Sequence, residues 1–299
     1  MFKGSLVALI TPMRSDGSID EKAYAELVDW QIKEGTNGVV PVGTTGESPT
    51  LSHDEHRRVV EIAIEVSAGR VPVIAGAGSN STEEAIALTR HAKEAGADAA
   101  LIVTPYYNKP TQEGLYQHYK AIAAAVKLPI IVYSVQGRTG VNVEPATLRR
   151  LSEIDYVIGV KEASGNISQM AQVVHQVPSG FAVLCGDDSI AIPLIALGGH
   201  GVVSVVSNEI PREFTALIDR ALRNDFAGAR ELQRQYLPLM EVNFVESNPI
   251  PVKAAMALMG LLEPVWRLPL CPPNPANLVK IEKVVEALGL LASRSVHAG

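Results

Sequence analysis

The chain has 299 residues, 47% of them apolar, and a formal net charge of −6. That is enough apolar material for one large core. No run approaches the roughly 20 apolar residues a membrane helix requires, residues 1–5 lack the apolar stretch of a signal peptide, and no basic block suits nucleic acid or an anionic membrane. Two cysteines, Cys185 and Cys271, form no CxxC pair, so neither a disulfide scaffold nor a zinc cluster is expected, and a reducing cytoplasm is the expected setting.

Apolar runs alternate with helical stretches along the chain. Strands are predicted at 6–10, 38–42, 71–75, 99–103, 129–133, 157–161, 182–185 and 201–205. Helices are predicted between and after them, at 21–34, 53–67, 83–95, 112–126, 145–153, 167–175, 188–197 and 211–223. Asp20, Ser52 and the pair Ser81-Thr82 stand at the starts of the first three as N-caps. Three further helices, at 226–243, 249–259 and 276–288, surround a proline-rich stretch at 263–275. Eight strands, each followed by a helix, predict an α/β fold, a (β/α)8 TIM barrel over 1–224 with a C-terminal helical extension over 225–299. An open doubly wound sheet is the rival, but Thr11-Pro12-Met13-Arg14 after the first strand is no glycine-rich phosphate fingerprint.

Lys161 closes the sixth predicted strand, in Val157-Ile158-Gly159-Val160-Lys161. A buried ammonium is costly, and the cost is relieved by loss of the proton. A neutral amine in a dry pocket attacks ketones and aldehydes, and barrel enzymes work at the C-terminal ends of their strands. Alternation sets Lys161 on one face with Gly159, which would leave space beneath it, and Val160 and Glu162 on the other. A lysine that snorkels into water at the strand exit is the alternative.

Other strand ends carry compatible groups. Gly43-Thr44-Thr45-Gly46-Glu47 is a tight turn able to offer backbone N–H groups to a carboxylate, or simply a strand-to-helix turn. Tyr133 can relay protons at the barrel mouth, or be a buried amphipathic tyrosine. Arg138, between Gly137 and Gly140, offers a planar fork for a second carboxylate, or is an exposed loop arginine. The neighbours Tyr106 and Tyr107 suggest burial at a pocket or a subunit contact. Asp187-Asp188 reads as helix capping rather than a metal site, and His53 and His56 lack the partners of a zinc site.

Together the Gly43–Glu47 turn, Tyr133 with Gly137-Arg138-Thr139-Gly140, and Gly159-Val160-Lys161-Glu162-Ala163-Ser164 resemble the dihydrodipicolinate synthase and N-acetylneuraminate lyase family, over essentially the whole chain. The resemblance implies a lyase of class I aldolase type, using neither metal nor cofactor. Lys161 would form an imine with pyruvate, and the enamine would add to L-aspartate 4-semialdehyde. It implies that Tyr133, Thr44 and Tyr107 relay protons, with Tyr107 supplied by a neighbouring subunit. Thr45 would hold the pyruvate carboxylate and Arg138 that of the semialdehyde, with Gly186 and Val203 lining the pyruvate site. It also implies a homotetramer, a dimer of dimers, and an inhibitory L-lysine site at Ser48, His53, His56, Asn80, Glu84 and Tyr106. The chain departs from the family run Tyr-Asn-Val-Pro-Gly-Arg-Thr at Ser134 and Gln136. Losing the proline removes a restraint on φ, so a looser or differently shaped Arg138 loop is expected. A sister aldolase acting on a sugar acid or another 2-oxo acid is the alternative, and a non-catalytic binding barrel is a third reading.

Overall fold

The computed structural model describes residues 2–292. Met1 and residues 293–299, which belong to the two regions expected above, lie outside the described residues. Among the described residues the strands are β1 (Gly4–Ala8), β2 (Gly38–Val40), β3 (Ile74–Gly76), β4 (Ala99–Val103), β5 (Ile130–Ser134), β6 (Val157–Glu162), β7 (Ala182–Cys185) and β8 (Gly201–Ser204). The helices are α1 (Glu21–Lys33), α2 (His53–Ser67), α3 (Thr82–Ala95), α4 (Gln112–Val126), α5 (Gln136–Thr139), α6 (Pro145–Leu151), α7 (Ile167–Gln176), α8 (Ala191–Ala196), α9 (Pro211–Leu222), α10 (Phe226–Val242), α11 (Ile250–Leu258) and α12 (Pro275–Ala287).

The strands run parallel in the order β2-β1-β8-β7-β6-β5-β4-β3. A single bridge between Val39 and Val73, with Val39 N–H donating to Pro72 O at 3.0 Å, brings β2 to β3 and completes the barrel. Two apolar layers result. Leu6, Ala8, Val40, Ile74, Leu101, Ile131, Tyr133, Leu184 and Val203 fill the barrel. The alternate residues, such as Val7, Val132, Val160 and Val183, pack outward against the helices.

The helix starts follow the predicted caps. Asp20 accepts from Ala23 N, Ser52 and Glu55 form a reciprocal capping box, and Ser81 accepts from Glu84 N. Strand bounds shift where backbone groups find other partners. Leu9 N–H still donates to Val40 O at 3.0 Å, but the Ile10 N–H goes to Asn208 Oδ1 instead of the ladder. The third strand begins after Pro72, which has no N–H for a ladder. β1 and β8 approach closely at Gly4 and Gly201; a Cβ at Gly201, where φ is 146°, would stand 2.1 Å from Gly4 O.

Candidate active site

A bulge in β6 aims the lysine. Ile130 pairs with Val157 and Ile131 with Gly159, so Ile158 is an extra residue on that strand. Val157 and Val160 therefore both pack in the outer layer. Lys161 instead aligns with Tyr133 on one side and Leu184 on the other, both residues of the barrel interior. Its side chain is buried, with Nζ 4.3 Å from the centroid of the Tyr133 ring. The snorkelling alternative is thereby excluded. The expectation that Gly159 leaves space beneath the lysine is corrected: a Cβ there would stand 2.7 Å from Ala182 O, so the glycine permits close approach of β7.

The turn after β2 is built as a cradle. Thr11 Oγ1 donates to Gly46 O at 2.8 Å, and the amides of Gly46, Glu47 and Ser48 donate back to Gly43 or Thr44 carbonyls. Among the described residues no such bond uses the Thr44 or Thr45 amide. Glu47 adopts φ 57°, a left-handed conformation that costs a non-glycine residue about 1–2 kcal/mol. Thr45 is buried, and its Oγ1 accepts from Asn248 Nδ2 at 3.0 Å.

The Arg138 segment is helical. Gln136–Thr139 makes one helical turn, closed by Gly140 at φ 73°. Gln136 occupies the first helical position, where proline fits only because the N–H has no intrahelical partner. The substitution therefore leaves the turn's hydrogen bonds intact, and Thr139 Oγ1 stays between the carbonyls of Val135 and Val141 at 3.2 and 3.0 Å. Ser134, the other departure, faces outward and accepts the Val143 N–H at 3.1 Å. Arg138 Nη2 donates to Asn248 O at 3.0 Å.

Thr44, Tyr133 and Arg138 line one cleft of about 580 Å³ that also takes in Ser48, His53, His56, Glu84 and Tyr106. Some residues of each candidate site thus line a common depression. Its far wall is an acid–imidazole cluster. His53 Nε2 lies 3.3 Å from Glu84 Oε1, and Ser79 Oγ makes a very short contact with Glu84 Oε2. His56 is buried with neither ring nitrogen partnered among the described residues, and burial lowers its pKa to about 4. Asn80 sits beside Ser79, where its carbonyl accepts from Asn108 Nδ2 at 2.9 Å.

Val203 belongs to the same interior cluster as Tyr133 and Leu184. At Gly186 a Cβ would stand 2.5 Å from the Ala163 Cβ, two residues past the lysine. Tyr107 is not brought to this site within one chain. It is 90% exposed at φ 73°, beside Tyr106 on the cleft wall.

Several contributors were missed from sequence. Asn248 links Thr45 to Arg138 through its side chain and its carbonyl. Lys253 of α11 pairs with Glu47 at 2.6 Å, both side chains fully buried. A lone lysine in Ile250-Pro251-Val252-Lys253-Ala254-Ala255 is the same signal that singled out Lys161. Asp187 caps its turn as expected, accepting from Ser189 N, but Asp188 does something else. Its Oδ2 accepts the amides of Val205 and Val206 at 3.0 and 2.8 Å, bracing the end of β8, and burial pushes its pKa up to about 6. Arg267, in the proline-rich stretch, grips Glu55 and the Thr50 carbonyl, holding the cleft wall, and its guanidinium keeps the Glu55 carboxyl down at about 2. Pro269 and Leu270 beside it line the cleft. No described helix is long and apolar enough to cross a membrane.

The sequence matches the dihydrodipicolinate synthetase family over residues 1–288. It is 52% identical over 291 residues to the 4-hydroxy-tetrahydrodipicolinate synthase of Syntrophus aciditrophicus (strain SB), covering 97% of this chain and 100% of that one. Among solved structures, the chloride-inhibited dihydrodipicolinate synthase of Acinetobacter baumannii complexed with pyruvate is similar at TM-score 0.96 and 46% identity, over 97% of this chain and 100% of that one. The enzyme of Cyanidioschyzon merolae with lysine bound is similar at TM-score 0.93 and 38% identity, over 97% and 99%. The chain belongs to the dihydrodipicolinate synthetase family.

Proposed function

We propose that the chain is a 4-hydroxy-tetrahydrodipicolinate synthase, joining pyruvate to L-aspartate 4-semialdehyde through an imine on Lys161, in the lysine (diaminopimelate) route. The observation that carries this reading is the buried Lys161 amine over the Tyr133 ring inside the barrel. The Lys161 amine adds to the keto carbon of pyruvate and water leaves. The resulting iminium nitrogen draws electrons from the adjacent methyl carbon, which loses a proton to give the enamine. That carbon then bonds to the aldehyde carbon of the second substrate, whose oxygen takes up a proton. The adduct cyclises and frees Lys161, with one water lost overall. Tyr133 and Thr44 carry the protons, with a partner copy's Tyr107 completing the relay. The Thr44–Thr45 amides, unused by the turn itself, suit the pyruvate carboxylate, and Gly186 and Val203 bound the space around its methyl end.

Arg138 on its helical turn suits the semialdehyde carboxylate. That fork favours this acceptor over the hydroxyl-rich sugar acid of a sister aldolase. L-Lysine is an inhibitor on this reading. The acid–imidazole wall of Ser48, His53, His56, Glu84 and Tyr106, with Asn80 nearby in the chain, offers Glu84 to its ammonium, and a related enzyme has been solved with lysine bound. The exposure of Tyr107 supports an assembly in which copies exchange that side chain, a homotetramer of paired dimers. We read residues 1–224 as the catalytic barrel and 225–299 as a helical region packed on it. The free thiols of Cys185 and Cys271 suit a cytoplasmic enzyme.

Borohydride reduction with pyruvate, followed by peptide mapping, tests the mechanism. The expected mass addition falls on Lys161 and vanishes in Lys161→Ala; labelling elsewhere, or none, overturns it. Rates with aspartate semialdehyde and with N-acetylneuraminate separate the synthase from a sister aldolase.

A further inference from the structure

The Gly43–Glu47 turn is fastened to the C-terminal extension by a contact that no step of the reaction uses. Lys253 Nζ lies 2.6 Å from Glu47 Oε1, and both side chains are fully buried. An ion pair removed from water stabilises poorly, because desolvation offsets the attraction, and apolar replacements of similar volume are often neutral or better. Here burial lowers the Lys253 pKa while Glu47 pulls it up, and Glu47 Oε2 has no partner among the described residues. Stability therefore gives no account of the pair. What it holds does. Glu47 sits in the left-handed conformation directly after Thr44-Thr45-Gly46. Its N–H donates to Thr44 O at 3.2 Å, and its carbonyl accepts from Thr50 N and Oγ1 at 2.9 and 3.0 Å. Just ahead of α11, Asn248 donates to Thr45 Oγ1. One segment of the extension thus grips the turn at its middle and at its end.

We infer that Lys253 is a positioning residue for the keto-acid carboxylate, acting through Glu47 to hold the Thr44 and Thr45 amides in place. This rests on the proposed pyruvate-binding role of that turn. The pair is a fastening between the helical extension and the barrel mouth, made by two fully buried side chains.

Lys253→Met alone would strand a buried carboxylate, so the informative variant is Lys253→Met/Glu47→Leu, which removes both charges at similar volume. Three quantities are read: the thermal midpoint, the pyruvate concentration that half-saturates borohydride trapping on Lys161, and the KM for aspartate semialdehyde. The double variant is expected to fold with a midpoint near the parent's. It is expected to need about tenfold more pyruvate or beyond, because small displacements of binding groups weaken productive geometry steeply. The semialdehyde KM is expected to stay within about threefold, since the Arg138 contact to the Asn248 carbonyl uses neither Lys253 nor Glu47 and both charges are removed at similar volume. An unchanged pyruvate requirement in the folded double variant overturns the inference, as does an equal rise for both substrates. A double variant that cannot fold makes the pair a folding determinant and overturns it too. Absence of trapping in the parent protein would instead overturn the pyruvate reading itself.

Discussion

Lys161 and Tyr133 face each other across neighbouring strands, in direct register, with the amine 4.3 Å from the ring centroid. Two contributions of the tyrosine can be separated. The ring walls the amine off from water, and the phenol can move protons. Tyr133→Phe keeps the first and deletes the second. Trapping of pyruvate on Lys161 should persist at similar concentrations, while kcat falls about 10²–10⁴-fold, the usual worth of a positioned proton-transfer group. Steady-state kinetics with an unchanged kcat would reduce Tyr133 to a packing residue.

The register depends on the bulge at Ile158 and on Gly159 beside β7. In Gly159→Ala the new methyl would lie 2.7 Å from Ala182 O and 2.9 Å from Ala182 Cβ. Both belong to strand β7 and cannot rotate away, so β7 must shift. Overpacking of this kind costs about 1–3 kcal/mol. The expected result is a thermal midpoint lower by several degrees, with a weaker kcat because Leu184 of β7 is the other neighbour of Lys161. A melt that superposes on the parent's would show the strands to be compliant there.

The barrel and the ends of its strands could be read from the sequence because short apolar runs alternate with helical stretches, several of which open on a capping residue such as Asp20, Ser52 or Ser81. Strand ends singled out Lys161, Tyr133 and the Thr44 turn as candidates, and the family resemblance supplied the roles proposed for them. What could not be read was long-range. The pairing of Lys253 with Glu47 spans the chain, and no local pattern links the two. Asn248 gives no sign in sequence that its side chain meets Thr45 and its carbonyl Arg138. The bulge was invisible because Val157-Ile158-Gly159-Val160 is apolar on both faces, so alternation carries no information there. That the run from Gln136 to Thr139 forms a helical turn was also not read from the sequence, because four residues that include Gly137 and end at Gly140 carry no helical period.

Arg138 provides a test of acceptor recognition that leaves the imine untouched. Arg138→Lys keeps a charge but loses the planar fork, and such an exchange is not conservative at a bidentate site. The KM for aspartate semialdehyde should rise about 10–100-fold, in line with 1.4–2.7 kcal/mol for charge-assisted hydrogen bonds. Pyruvate trapping on Lys161 should be unaltered. A rise in the pyruvate requirement instead would assign Arg138 to the wrong carboxylate.

His56 makes a prediction about acid. Burial lowers its pKa from 6.5 to about 4 in the folded chain, so the unfolded chain takes up the proton first. Its contribution is whole above pH 6.5 and is lost as pH falls toward 4, by at most about 3 kcal/mol. His118, also lowered to about 4 by burial, acts in the same sense. Asp188, raised from 3.8 to about 6, acts in the opposite one: its contribution is present below 3.8 and lost as pH rises through 6. Comparison of the parent with His56→Gln isolates the first term. Urea unfolding at pH 7 and pH 5 should show the parent losing more stability than the variant; equal losses would mean that His56 is charged or solvated in the fold.

Gln136 offers a change that should strengthen the enzyme. It begins the single helical turn that carries Arg138, and its N–H makes no hydrogen bond among the described residues. Val135 before it is outside the helical region, at φ −142° and ψ 74°, so a following proline meets no helical neighbour. Proline at this position would keep the folded turn and reduce the freedom of the unfolded chain, a gain of about 0.4–1 kcal/mol. Gln136→Pro should therefore raise the thermal midpoint slightly and leave the semialdehyde KM within about twofold. A lower midpoint would mean that the glutamine side chain, or its amide, holds the turn in a way the proline cannot replace.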